Sequence, residues 1–477
     1  MDNYRLLIWA SFALVFFMNY QAWMTDYGVS PNKQINNTES HVNQSTDVPL
    51  LPEDNIRSQN YSEPSLDVDI EPIVSEQDSE NIIYVKTDVL SVEINTKGGT
   101  IQKAILLNYP IAKDQPDVLV ELLSTDLNNT GLIQTGINSP GNSKKANHNA
   151  VYISDNYNYE LFGEEDLRVN MTWSDGLGIK VDKTFIFKKG SYQVDVLHNV
   201  INDSNLTWSG AEYAQMIRRL NRKERSMFDV DTYSFDGPMI YDGSRSEKLK
   251  EDDLESDPVN IRSTNGWLAV VEHHFLRAII PALPQEYVYD VSIRGDVSVA
   301  SVIKGSLVTV EPGYEHEFET IIFIGPKLQN QLEKITEKLK LTVDYGWLTV
   351  LSQPLFWLLS FAYSLFGNWG GAIIVVTILI KLVFYKLTES SGRSMAKMRE
   401  IQPRMKALQD RYKDDKQALS QAMMDLYKRE KVNPAAGCLP ILIQMPFFLA
   451  FYWVLLESVE MRQAPFFLWI ADLSSRD

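Results

Sequence analysis

The stretch "AIIVVTILIKLVFYKL", residues 372–387, is apolar enough to enter a lipid bilayer, yet it carries two lysines. Lys386 sits near its end, where a cation reaches the interface easily. Lys381 follows twelve uncharged residues that begin at Trp369. A charge that deep costs about 2.5–3.5 kcal/mol on insertion scales, so it needs a reason. The plain reading is snorkelling toward the interface, since Lys386 lies only roughly 7–8 Å further along a helix.

The chain has 477 residues, a net charge of −17 and a mean hydropathy of −0.19. Those averages hide a partition. Residues 381–433 hold 13 Lys and Arg against 7 Asp and Glu, a net of +6, whereas residues 25–380 carry −21. Such segregation is expected of a protein with regions on opposite sides of a membrane. The single cysteine, Cys438, excludes an intrachain disulfide and lies in an apolar run, where it reads as a small packing residue.

Three apolar stretches stand out. Leu6 to Met24 is 19 residues long, about enough to cross ~30 Å of hydrocarbon. Bulky Tyr20, Trp23 and Met24 replace a small-residue cleavage site, which favours an uncleaved anchor over a signal peptide. Trp347 to Ile380 runs for 34 residues without a charge and breaks at "GNWGG", 367–371. Ala435 to Leu456 has 22 uncharged residues and includes Pro440, Gln444 and Pro446. Basic short loops stay in the cytoplasm, so residues 389–433 belong inside. If the N-terminus is inside and the acidic region outside, only one crossing can separate that region from the basic loop. Residues 343–367 are therefore expected to lie along the outer interface, 368–388 to cross inward and 434–457 to return.

Between these stretches the text changes twice. Residues 25–80 have the composition of a disordered linker. From 81 to about 325, runs such as "VDKTFIFKKGSYQVDVLHNV" alternate β-branched and aromatic residues and predict a large antiparallel β-sandwich. A helix over 327–341 is expected to close this outer domain at 342. "EHHF", 272–275, lacks the spacing that puts two histidines on one helical face, so it reads as surface or strand histidines rather than metal ligands. "NTKGGT", 95–100, reads as a turn between strands, since no phosphate-loop pattern occurs. Nothing here argues for an enzyme or a cofactor.

The basic loop predicts a helical hairpin. Met395, Met398, Ile401, Met405, Leu408 and Tyr412 recur at spacings of three and four, "KDDK" (413–416) marks the turn, and Leu419, Met423, Leu426 and Tyr427 carry the second helix. Arg399, Arg404, Lys406 and Arg411 lie among the remaining positions and make this face a candidate docking surface, with a solvated linker as the plainer reading. The mixed charges argue against nucleic acid.

"VDYGWLTVLSQPLF", "SMAKMREIQPRMKALQDRYKDDKQ", "YKREKVNPAAGC", "LPILIQMPFFLAFYWVL" and "SVEMRQAPFFLWIADLS" closely resemble the YidC membrane protein insertases of Gram-negative bacteria. The resemblance extends to "VKTDVLSVEINTKGG" and covers nearly the whole chain. It implies a multi-domain inner-membrane protein: an N-terminal anchor, a periplasmic β-supersandwich and an α-helical transmembrane core. It implies insertion of newly made membrane proteins into the lipid bilayer of the inner membrane, alone or with the Sec translocon. Ribosome and signal recognition particle receptor are implied as further partners. The path would be a hydrophilic groove closed to the periplasm. Its cation falls on Lys381, with Thr377 and Gln444 at matching groove positions and Met445 and Phe448 on a greasy path beside it. No covalent chemistry is required.

Three features depart from the family pattern that the resemblance implies. Lysine replaces the usual arginine at 381, keeping the charge but not bidentate recognition. Lysine also replaces a usual proline at 386. The sequence stops at Asp477 after two of five core helices, with residues 458–477 on the outside, so the expectation is a fragment or an impaired insertase. The rival reading is a periplasmic binding or scaffold protein tethered by its helices.

Overall fold

The computed structural model describes residues 81–473, except 127–128, 141–143, 220–233, 296–297, 337, 414, 431–433, 468–469 and 471. For Trp347 and residues 434–438 it describes only the backbone. The expected anchor (1–24), linker (25–80) and packing role of Cys438 lie outside the described residues. The chain divides into two units, Met1–Glu63 and Pro64–Asp477, and everything below belongs to the second.

The strand alternation reappears as burial. In Leu90–Asn95 every second residue is buried, so one face of the strand meets the core. Two sheets result. The eleven-stranded sheet runs from Val259–Ser263 through Tyr287–Arg294, Ser298–Lys304, Trp208–Arg219, Gly131–Asn138, Thr100–Ala112, Leu90–Asn95 and Ile82–Lys86 to Asn158–Glu160. The eight-stranded sheet runs from Ser246–Lys248 through Gly237–Tyr241, Trp267–Val271, Phe275–Pro281, Glu315–Pro326, Gln193–Asn202 and Ile179–Phe187 to Leu167–Ser174. Pairing is antiparallel apart from Ile82–Lys86 with Asn158–Glu160. Phe185, Phe187 and Phe323 from one sheet share a single core with Ile94, Ile133 and Tyr289 from the other. The β-sandwich read from the sequence is therefore present. "NTKGGT" is indeed a turn between strands: Gly98 takes φ +73°, and a Cβ there would lie 2.3 Å from the His148 carbonyl oxygen.

Among the described residues seven α-helices occur in chain order: α1 (Glu251–Ser256), α2 (Gln329–Ile335), α3 (Thr349–Phe366), α4 (Trp369–Val383), α5 (Tyr385–Arg411), α6 (Lys416–Arg429) and α7 (Pro434–Glu457). The single helix expected over 327–341 is instead α2 followed by a 3-10 turn, Leu339–Thr342. Thr336 is extended (φ −153°, ψ 136°). Consecutive β-branched Ile335 and Thr336 make a helix costly there.

The glycine break is where the sequence puts it. Gly367 takes φ 63° and its amide closes α3 on the Tyr363 carbonyl. Asn368 then caps α4, its Oδ1 accepting from the Gly371 amide at 2.9 Å. The helix expected to run to residue 388 ends at Val383 and bends by 64° into α5, which continues unbroken through Pro403. Lys386 thus belongs to the first turn of α5. The bend lets apolar α4 pack on α3 while amphipathic α5 follows α7, with Phe384 edge-on to Phe447 at 5.0 Å. Asp415 caps α6 through the amides of Gln417 and Ala418, which makes "KDDK" the turn of the hairpin.

α3 and the Leu439–Glu457 part of α7 are each long and apolar enough to cross a bilayer, and the bent pair α4–α5 would make a third span. α3 packs on both α4 and α7, with the Ser352 hydroxyl donating to the Ala450 carbonyl at 3.2 Å. Fully buried Ala372, Val376, Ala450 and Val454 let these backbones approach closely. α4 and α7 meet mainly through α3 and α5 rather than on each other.

Candidate functional site

Thr377 and Lys381 lie one turn apart on α4. The Thr377 hydroxyl donates to the Ile373 carbonyl at 2.7 Å and so carries its own partner. Lys381 is exposed, and among the described residues no carboxylate pairs with it. Gln444 on α7 donates through Nε2 to the Thr388 hydroxyl of α5 at 3.4 Å. Met445 and Phe448 are exposed and continue a stripe that includes Ile441 and Tyr452 on the same helix. The structure brings Gln444 to the bend after α4, not into contact with Lys381.

The hairpin behaves differently from a free docking face. Ile401 is buried, and Met405 Sδ accepts from the Tyr427 hydroxyl across the hairpin. Part of the apolar stripe is therefore the seam between α5 and α6, while Met395 stays exposed. Arg404 pairs with Glu430 on the opposite side of the seam. Arg399, Lys406 and Arg411 are exposed.

Sequence reading missed a polar junction between the sandwich and the helices. His273 and His274 are not surface histidines. Their rings stack at 3.9 Å and both Nε2 atoms lie 3.1 Å from the Leu456 carbonyl, in the last turn of α7. Glu272 binds Arg277 at 2.6 Å instead of joining them. Lys327 is buried where the last strand ends, and burial pulls its ammonium down to about 8 against the attraction of Glu457. A cleft beside it is lined by Lys248, Asp344, Tyr345 and Trp453, with Lys248 and Asp344 paired. Burial pushes the Glu460 carboxyl up to about 7, although the Gln329 amide hydrogen-bonds to it. Helix carbonyls at a C-terminus need partners, and here the outer domain supplies them. Only the adjacent histidines were visible in the sequence; their partner is more than 180 positions away.

A large β-sandwich fixed to apolar helices, with a basic helical hairpin at the opposite end of those helices, defines a membrane protein with an extramembranous domain. Residues 82–358 match the family model described as the YidC periplasmic domain, and residues 361–477 match that of the 60Kd inner membrane protein. The chain belongs to the YidC family of membrane protein insertases, inner-membrane proteins with a periplasmic domain. It is 41% identical to the membrane protein insertase YidC of Thioalkalivibrio sulfidiphilus over 100% of this chain and 86% of that one. The corresponding proteins of Nitrosococcus oceani and Methylococcus capsulatus are each 40% identical over the same shares. A galactose mutarotase-like protein from Lactobacillus casei shares 12% identity with a TM-score of 0.36, over 51% of this chain and 99% of that one.

Proposed function

We propose that this chain inserts newly made proteins into the inner membrane through a wet, cationic groove in which Lys381 is the charge and Thr377 and Gln444 are polar neighbours. The observation that carries the reading is an exposed lysine near the end of apolar α4, on a helix that does not pack directly on α7. Met445 and Phe448 would line the apolar side of the path. A substrate's acidic outer tail must leave water before it crosses. A cation in a water-filled recess lowers that barrier by attraction and by shortening the hydrocarbon path. In this reading residues 343–367 lie along the outer face, α4 crosses inward, and α7 returns outward. The hairpin stands in the cytoplasm, where exposed Arg399, Lys406 and Arg411 would meet the ribosome or the signal recognition particle receptor. Cooperation with the Sec translocon belongs to the same reading.

The test is complementation of an insertase-depleted strain by the gene carrying Lys381→Ala with Thr377→Ala. Insertion should fail while the protein accumulates in the membrane. Normal insertion by that variant would sink the groove assignment.

A further inference from the structure

α4 and α7, the helices that carry Lys381 and Gln444, have little direct contact and are bridged by α3, and a second bridge joins their outer ends. The chain after α7 forms it. Ser458 turns back onto the Val454 carbonyl through its hydroxyl at 2.5 Å. Residues 459–467 then run to the first turn of α4. Asn368 Nδ2 donates to the carbonyls of Pro465 (3.3 Å) and Phe466 (3.2 Å), while its Oδ1 caps α4 on the Gly371 amide. Phe466 packs so closely on Gly370 that a Cβ at that position would lie 2.1 Å from the ring. On the way the same segment is held by the outer domain. Arg462 donates to the Ile111 carbonyl at 2.9 Å, and Gln463 Nε2 donates to the Pro110 carbonyl at 3.0 Å.

We infer that residues 458–467 are a positioning strap. Its clasp, Asn368 and Gly370 against Phe466, fixes how far apart and at what tilt the outer ends of α4 and α7 stand, and so holds the width of the path between them. Each part fits that role chemically. Asparagine carries an acceptor for a helix-capping amide and two donors for strap carbonyls on a side chain short enough to cap. A glycine is required opposite Phe466 because any side chain would wedge strap and helix apart. The strap's contacts with Pro110 and Ile111 add the outer domain to the same frame. The role in insertion rests on the groove reading above, whereas the geometric role does not.

Asn368→Asp separates the two duties of this side chain, since aspartate still caps α4 but cannot donate to the strap. With Cys438→Ser as background, spin labels at Ile374 and Leu449 report the distance between α4 and α7. We expect one narrow distance in the parent, a broadened one in Asn368→Asp, and a drop in insertion rate of about three- to ten-fold, as for one lost positioning hydrogen bond. Membrane abundance should stay the same. Gly370→Ala should act likewise, and adding Phe466→Ala should restore both readouts, because removing the ring makes room for the new methyl. An unchanged distance in Asn368→Asp overturns the inference, and so does a Gly370→Ala with Phe466→Ala pair no better than Gly370→Ala alone. If Lys381 variants insert normally while the clasp variants still broaden the distance, the groove reading falls and the strap stands.

Discussion

The ammonium of Lys183, in the eight-stranded sheet, donates to the carbonyl of Thr135 in the eleven-stranded sheet at 2.8 Å, with no surface exposed to solvent. It also donates to the Gly98 carbonyl at 2.7 Å, and lies 5.3 Å from the centre of the Phe185 ring. Lysine is therefore a bolt between the two sheets. Lys183→Met keeps the length but leaves the carbonyls of Gly98, Gly99 and Thr135 without this donor, and should cost about 2–4 kcal/mol. Burial holds the Lys183 pKa well below its ordinary 10.5. The unfolded chain then binds the proton more tightly, so this group's contribution to stability grows as pH rises toward 10.5. Denaturant melts of the purified protein should show that slope in the parent and lose it in Lys183→Met.

Glu212 is the acidic counterpart. Its carboxylate accepts from the Tyr287 hydroxyl at 3.0 Å and from the Thr320 hydroxyl at 3.2 Å, again joining the two sheets. Burial raises its pKa from 4.5 to about 7. Here the folded state holds the proton more tightly, so stability is full below pH 4.5 and declines as pH rises to about 7. Glu212→Gln, a neutral mimic of the protonated form, should flatten the melting profile between pH 5 and 8. It should also stabilise the protein at pH 8. An unaltered profile would show that Glu212 is already ionised when folded.

What the sequence disclosed follows from the range of the interaction. Asp415 caps a helix two residues ahead, and Gly367 ends one four residues behind, so both could be read locally. The strand alternation was likewise legible, and it placed the sandwich. Lys183 and Glu212 were not, because a charged residue in a strand is read as facing water. Their inward placement depends on carbonyls and hydroxyls brought from the other sheet. The bend at Phe384 was hidden by its own surroundings: no glycine or proline marks it, and the packing on Phe447 of α7 is non-local. Thr377 and Gln444 entered through family resemblance, since one chain's periodicity cannot tell a groove lining from a lipid-facing polar residue. The histidine pair was noticed but misplaced for the same reason.

Docking of the sandwich on α7 should be sensitive to acid through His274. Two stacked imidazoles share the Leu456 carbonyl, and burial together with neighbouring His273 pulls His274 down from 6.5 to about 3. A base with a depressed folded pKa stabilises the docked form above its ordinary pKa and withdraws that stability as pH falls. Hydrogen exchange at the end of α7, taken relative to the intrinsic amide rate at each pH, should therefore quicken between pH 6.5 and 4. His273→Gln with His274→Gln, which keeps amide donors but cannot be protonated, should remove that dependence. If the doubly substituted protein quickens just as the parent does, the acid response has another origin.

Lys381 itself invites a test that separates charge from shape. If the groove needs only a point charge in a wet recess, Lys381→Arg keeps a cation at that position and should insert substrates within about twofold of the parent. Lys381→Met keeps the stem and removes the charge. Losing attraction of ~1–2 kcal/mol at a partly hydrated site corresponds to roughly a ten-fold slower insertion. The deficit should be largest for substrates with acidic outer tails and vanish when those acids are neutralised. A snorkelling lysine makes the opposite prediction: Lys381→Met would insert every substrate normally and would sit more comfortably in the bilayer. Single-turnover insertion into proteoliposomes, with matched acidic and neutral tails, distinguishes the two. Equal rates across all four combinations of residue and tail would leave Lys381 a bystander.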